Sequence, residues 1–201
     1  SFQSGFTWSG ISISIFSVRH VTPGFMFDAK GPMGFVFREE DEIYCEAFLN
    51  STVANYFLKI LAPTLDFKLG QIMNLPIMTE MPQIICVNAS EATNLSRQDW
   101  DSFETSWDFN AFPWITTPLK ASTTEQSFKN WESHLNSQIK RMQELETENN
   151  RLWIEAYGLQ DELTPDVPEE QITLARPDME KDVKRLISYA VGCMMGRYSL
   201  D

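Results

Sequence analysis

Residues 127–156 carry two interlocked seven-residue series, Phe128, Leu135, Met142, Asn149 and Ala156 in one and Trp131, Gln138, Leu145 and Leu152 in the other. That spacing keeps one stripe of a helix facing a partner surface along its whole length, and predicts a single packed helix on the order of 45 Å long. Gln138 and Asn149 lie in the seam. Polar residues there argue against a free-standing coiled coil and for packing within a domain. Gly158 is a natural stop, and Leu163–Glu170, with two prolines, reads as a turn. A second helix is predicted from about Asp178 to Gly196, on Met179, Val183, Leu186, Ile187, Ala190, Val191 and Met194 at three- and four-residue intervals.

The beginning of the chain has a different period. "ISISIFSV" (Ile11 to Val18) alternates apolar and polar residues, and Pro23-Gly24 and Gly31-Pro32 punctuate the segment after it. Two or three antiparallel strands are expected before residue 37, with Asp28–Gly31 as a turn between "GFMF" and "GFVF". After the charged break Arg38–Glu42, the residues Phe48, Leu49, Val53, Tyr56, Phe57, Ile60 and Leu61 take helical spacing, with Asn50 or Ser51 as an internal cap and Pro63 as the stop. Thr64–Ile77 reads as short extended pieces, and Gln83–Val87 as either a strand or a helix start. The fold class is therefore α+β. Three parts are expected: an α+β domain over residues 1–82, a connecting segment over 83–130, and a helical region over 131–201.

Composition removes several functions. The net charge of -12 argues against a nonspecific polyanion binder. Cys45, Cys86 and Cys193 are widely separated and lack any paired spacing, which fits a reducing, cytoplasmic compartment and no zinc finger. No apolar run approaches the roughly 20 residues needed to cross a bilayer. His20 and His134 stand in no HExxH-type spacing, and GxSxG, Walker and GxGxxG motifs are absent. Catalytic, cofactor and metal residues are accordingly not assigned.

One stretch does concentrate functional groups. "SRQDWDSFETSWDF" (Ser96 to Phe109) interleaves Asp99, Asp101, Glu104 and Asp108 with Trp100, Phe103, Trp107 and Phe109. If helical, it puts Trp100, Phe103 and Trp107 on one stripe and Asp101, Glu104 and Asp108 on the next, so the tryptophans are expected to be buried and the carboxylates solvated without a metal. On that reading Trp107→Ala would cost about 3 kcal/mol or more.

The strings "WDSFETSWDF", "LETENNRLWIEAYGLQDELTPDVPEEQITL" (Leu145 to Leu174) and "RLISYAVGCMMGRYSLD" (Arg185 to Asp201) together resemble the C-terminal region of bacterial adenine-specific DNA methyltransferases of the phage-exclusion (BREX, phage growth limitation) type, and related fused restriction-modification enzymes. "FLNSTVANYFLKILAPTLDFKLGQIMNLPI" (Phe48 to Ile77) looks like the second part of their target-recognition domain. Trp100, Phe103, Trp107, Asn149, Tyr157, Tyr189 and Arg197 are the family-marker positions within these strings.

The resemblance implies a piece of a longer enzyme. The glycine-containing loop for S-adenosylmethionine and the Asn-Pro-Pro-Tyr type motif expected of such enzymes are missing, and the chain contains no Asn-Pro pair. The cofactor and the catalytic methyltransferase domain are thus expected in the parent protein, and no cofactor here. Recognition of double-stranded DNA in the full-length context is implied, with Arg19, His20, Lys30, Arg38 and Lys68 as candidate contacts and solvated surface charge as the alternative for each. Residues 1–82, 83–130 and 131–201 carry -3, -3 and -6. No part is basic, so the isolated chain is expected to bind DNA weakly. Two other classes stay open: a helical interaction module for other defence-system subunits, and an acidic DNA mimic.

Overall fold

In the computed structural model, which describes residues 3–12, 15–38, 41–61, 66–80, 82–116 and 118–198, three strands come first: β1 (Gly5–Trp8), β2 (Val18–Val21) and β3 (Met33–Gly34). The helices follow as α1 (Glu42–Leu49), α2 (Thr52–Leu61), α3 (Leu69–Ile72), α4 (Ile84–Asp101), α5 (Thr124–Tyr157) and α6 (Met179–Met194). The class is α+β, as predicted. The chain forms two compact units, Ser1–Thr93 with Glu144–Val167, and Asn94–Gln143 with Pro168–Asp201.

In the first unit the three strands make an antiparallel sheet of order β2-β1-β3. Alternation along β1 buries Phe6 and Trp8 against the helices and turns Thr7 away. Gly34 lies opposite Phe6, and a Cβ there would stand 2.4 Å from the ring, so only glycine lets β3 pair at this point.

Three antiparallel strands form before residue 37, as expected, but the alternating run Ile11–Val18 enters a strand only at Val18 among its described residues. Ile13 and Ser14 lie outside the described residues, Ile11 makes an isolated bridge with Asp66, and Phe16 and Ser17 are irregular. The reason is a pair of side-chain amides that take the place of a neighbouring strand. Asn55 accepts from the Phe16 amide at 2.9 Å and donates to its carbonyl at 3.1 Å, while Asn50 does the same to Val18 at 2.8 and 3.2 Å. Phe25, Met26 and Phe27 are likewise exposed and outside any strand. The Asp28 turn does form, its Oδ1 accepting from the Lys30 and Gly31 amides at 2.8 Å each.

The helix predicted across Phe48–Leu61 divides at the internal cap. Ser51 Oγ accepts from the Ala54 amide at 3.1 Å, the bond expected of a residue that starts α2. The expected stop at Pro63 lies outside the described residues. Within Thr64–Ile77, the expectation of extended pieces is corrected by the one-turn α3, whose start is held by Gln71 Oε1 accepting from the Lys68 amide at 2.9 Å. Gln83–Val87 is resolved as a helix start.

The predicted long helix spans Thr124–Tyr157, and Gly158 ends it at φ 66° with the Leu159 amide bonding back to Ile154 at 3.0 Å. Asn149 in the seam and Asn150 beside it both bond to neighbouring backbone. Asn149 donates to the Ala47 carbonyl at 2.8 Å, and Asn150 accepts from the Thr52 amide at 2.9 Å and donates to the Pro165 carbonyl at 3.2 Å. Trp153 and Ile154 complete a core with Phe48, Leu58, Ile85 and Trp8.

Glu146, on the same helix, is half-buried, and burial alone pushes its carboxyl up to about 7. A folded pKa above the ordinary carboxylate value means that stability is greatest while the group is protonated and falls as pH rises from about 4.5 through 7. Glu146→Gln should therefore stabilise the protein by about 2 kcal/mol at pH 8, taking about 1.4 kcal/mol per pH unit and discounting for partial exposure, with no gain below pH ~4.5. Urea unfolding at the two pH values checks this. An equal effect at both would assign the gain to something other than the charge.

The second unit is built around Phe112, Trp114, Phe128, Trp131, Leu135 and Tyr189. Asp178 caps α6 by accepting from the Lys181 amide at 3.0 Å, and Gly196, at φ 74°, ends it with the Arg197 amide bonding to Gly192 at 2.8 Å. The predicted apolar face of α6 is packed in part, with Val183 and Leu186 against the second core. Tyr189 and Gly192 are buried, whereas Met179, Ile187, Val191 and Met194 are exposed. No helix among the described residues is long and apolar enough to cross a membrane.

Candidate functional site

The aromatic-acidic stretch Ser96–Phe109 is not one helix. α4 ends at Asp101, where Ser102 Oγ donates to the Gln98 carbonyl at 2.7 Å and Ser106 Oγ donates to the Asp101 side-chain carboxylate at 2.6 Å. The aromatic stripe is thereby scattered. Trp100 is 58% exposed and Trp107 90%, against the expectation that both are buried. Phe103 is half-buried beneath Arg185, whose guanidinium carbon stands 4.5 Å from the ring centroid. The large loss expected for Trp107→Ala is corrected accordingly. A change within about 0.5 kcal/mol is expected in thermal unfolding, and a loss above about 2 kcal/mol would restore the buried reading.

Trp100 and Phe103 instead border a recess of about 460 Å³ with Asp99, Glu104, Phe112, Thr173 and Arg185 among its walls. Its polar groups serve the fold. Asp99 accepts from the Ala175 amide at 3.1 Å, Glu104 accepts from the Tyr198 hydroxyl at 2.6 Å, and Arg185 donates to Asp182 at 2.7 Å. Burial raises the Asp99 carboxyl above its ordinary value, partly countered by the Ala175 bond.

Of the other family-marker positions, the two tyrosines are packed and Arg197 is not. Tyr157 stacks on Phe48 at 6.0 Å, donates to the Pro76 carbonyl and accepts from the Met78 amide at 3.0 Å. Tyr189 stacks with Tyr198 at 5.0 Å and Phe112 at 5.9 Å. Arg197 is exposed at the α6 terminus.

The five candidate DNA contacts all lie in the first unit, in differing states. Arg38 is held by Asp41 through two bonds of 2.8 Å, and Lys68 is 3.6 Å from Asp66. Lys30 is exposed in the Asp28 turn. Arg19 pairs in register with Thr7, which places it on the sheet face away from Phe6 and Trp8, beside a small pocket lined by Ser9, Ser12, Phe16 and Phe67. It makes no ion pair among the described residues.

His20 is turned the other way. It pairs with Phe6, so its ring lies on the side that carries α1. There its Nδ1 stands 2.9 Å from Glu46 Oε1 and 3.1 Å from Glu42 Oε1. Both glutamates are buried, at 3% and 7% exposure. Burial raises the Glu46 carboxyl above its ordinary value, and the bond from His20 pulls it part of the way back. Reading the sequence missed this cluster, although its signals are present: Glu42 and Glu46 are one turn apart in "EIYCE", and His20 has the inward phase of "VRHV".

No family model matches the chain. It is 39% identical, over its whole length, to the adenine-specific methyltransferase PglX of Lacticaseibacillus casei (strain Zhang), and 30% identical, again over its whole length, to the adenine-specific methyltransferase BrxX of Escherichia coli O9:H4 (strain HS). The chain spans 17% and 18% of the length of these relatives. The resemblance read from its strings is thereby shown.

Proposed function

We propose that this chain is a non-catalytic part of a longer, cytoplasmic, S-adenosylmethionine-dependent adenine-specific DNA methyltransferase of a phage-defence or restriction-modification system. The observation that carries the reading is the match of its entire length to two such methyltransferases, each more than five times as long. Residues 1–82 are assigned to the later part of a target-recognition domain, and the helical remainder to holding that domain against the catalytic domain. The division of labour is that loops and strands here read base edges and fix register on phosphates, while the rest of the enzyme extrudes and methylates adenine.

The 460 Å³ recess among the described residues does not suit S-adenosylmethionine: it is lined without a glycine, and the carboxylates on its wall are engaged by the Ala175 amide and the Tyr198 hydroxyl. The cofactor belongs to the remainder of the longer protein.

Arg19 is the strongest candidate contact, being exposed on an edge strand and unpaired among the described residues. In a full-length protein containing this region, Arg19→Ala should weaken binding to the cognate duplex about tenfold, a single side-chain contact being worth about 1–3 kcal/mol. S-adenosylmethionine affinity should stay unchanged. The isolated chain, at a net -12, should bind random duplex more weakly than ~10 μM at 150 mM salt. Micromolar, salt-dependent gel shifts of the isolated chain would contradict the assignment of weak autonomous binding. Unaltered cognate affinity in the Arg19 variant would remove that residue from the interface.

A second reading has its own support. Ile187, Val191 and Met194 form an exposed apolar strip on α6, suited to an interaction module that docks against another subunit or domain. Replacing all three by serine should leave DNA affinity intact and disrupt assembly if this reading holds.

A further inference from the structure

We propose that His20, Glu42 and Glu46 form a divalent-cation site that fastens strand β2 to helix α1. The three donor atoms come together from two elements and lie within 4.8 Å of one another. Sheet register sets one side of the site, because His20 is opposite Phe6 and so faces α1. Helical spacing sets the other, because Glu42 and Glu46 are one turn apart on the same face.

Among the described residues the charges of this cluster do not balance. Two carboxylates, each more than nine-tenths buried, share one imidazole, and a protonated ring would still leave one negative charge uncompensated. Hydrogen bonding does not balance either. Nδ1 carries at most one proton, which the 2.9 Å contact to Glu46 uses. Glu42 Oε1 is buried and has no hydrogen-bond partner among the described residues, although it points to the same spot. Its other oxygen accepts from Ser4 Oγ at 3.0 Å, an outer contact of the kind that orients a ligating carboxylate.

The spacing suits a small ion. Donors about 2.1 Å from a common centre stand roughly 3.0 to 3.4 Å apart in octahedral or tetrahedral arrangements. The distances from Nδ1 to the two oxygens are 3.1 and 2.9 Å. One imidazole and two carboxylates favour a first-row divalent ion such as zinc or manganese over calcium. The His20 side chain remains 29% accessible, so an ion there has a route to solvent and room for water as a further ligand. Nothing in this assignment depends on the chain being part of a methyltransferase.

Calorimetric titration of chelator-treated protein with ZnCl₂ and MnCl₂ at pH 7 tests the proposal. One equivalent should bind, with micromolar or tighter affinity for zinc, and the thermal midpoint should rise with metal. Glu46→Gln and Glu42→Gln should each weaken binding at least about tenfold, and His134→Gln should not. A triple serine variant of Cys45, Cys86 and Cys193 should bind as the parent does, which separates this site from thiol binding. A readout on the unaltered protein guards against misfolded variants: equimolar Mn²⁺ should broaden the ring-proton NMR signals of His20 and spare those of His134. Absence of saturable binding below ~1 mM, binding lost with the cysteines, or equal broadening of both histidines would overturn the site and leave an imidazole-carboxylate cluster alone.

Discussion

Trp153→Ala should lower the stability of the first unit by about 4 kcal/mol, the scale of a fully buried aromatic truncated to alanine. The indole is 0% exposed and is ringed by Phe48 at 5.0 Å and Tyr44 at 5.5 Å. It is also the donor in a relay: Nε1 bonds to Asn149 Oδ1 at 3.1 Å, and Asn149 donates in turn to the Ala47 carbonyl at 2.8 Å. Truncation therefore opens a cavity and unhooks the asparagine that ties α5 to α1. Trp153→Phe keeps most of the apolar contact and strands Asn149 Oδ1, for a cost of about 1–3 kcal/mol. Urea unfolding followed by near-ultraviolet circular dichroism separates the two variants. A cost below about 1 kcal/mol for the alanine variant would mean that this ring is not the centre of the core.

Trp114→Ala should destabilise the second unit by a similar amount, about 3–5 kcal/mol, but its phenylalanine variant should behave differently. Trp114 is 1% exposed and packs on Phe112 and Phe128 at 5.5 Å each. Its Nε1 is buried and has no hydrogen-bond partner among the described residues. An indole N–H left unsatisfied costs about 1–3 kcal/mol, so Trp114→Phe trades lost ring contact against relief of that cost and should come within about 1 kcal/mol of the parent. The same substitution at two buried tryptophans thus separates a satisfied donor from an unsatisfied one. Equal losses for both phenylalanine variants would show that ring volume alone governs.

Period and termination were legible where one local signal was enough. The long helix, its stop at Gly158 and the approximate bounds of α6 all follow from spacing and from termination chemistry that acts within a few residues. The tertiary exceptions were not legible. Ile11–Val18 has good strand alternation, yet Asn50 and Asn55, more than 30 residues later, supply the hydrogen bonds that a neighbouring strand would have made. Trp100 and Trp107 have helical spacing, yet α4 ends at Asp101, between them. The same limit hid the His20 cluster, because nothing local tells a histidine in a strand that two glutamates of a later helix will face it.

The division of each unit into two stretches of chain has a consequence for how the protein is made. Trp153, Ile154 and Asn150 complete the first unit, but they are translated only after the 50 residues of Asn94–Gln143. At about 5–20 residues per second, the ribosome delivers the closing segment roughly 3–10 s after the first stretch has emerged. During that interval Phe48, Ile85 and the Ala47 carbonyl have no α5 to cover them. The nascent chain spends those seconds as an open half-core, the state in which a chaperone has most to bind and a premature stop codon would do most harm.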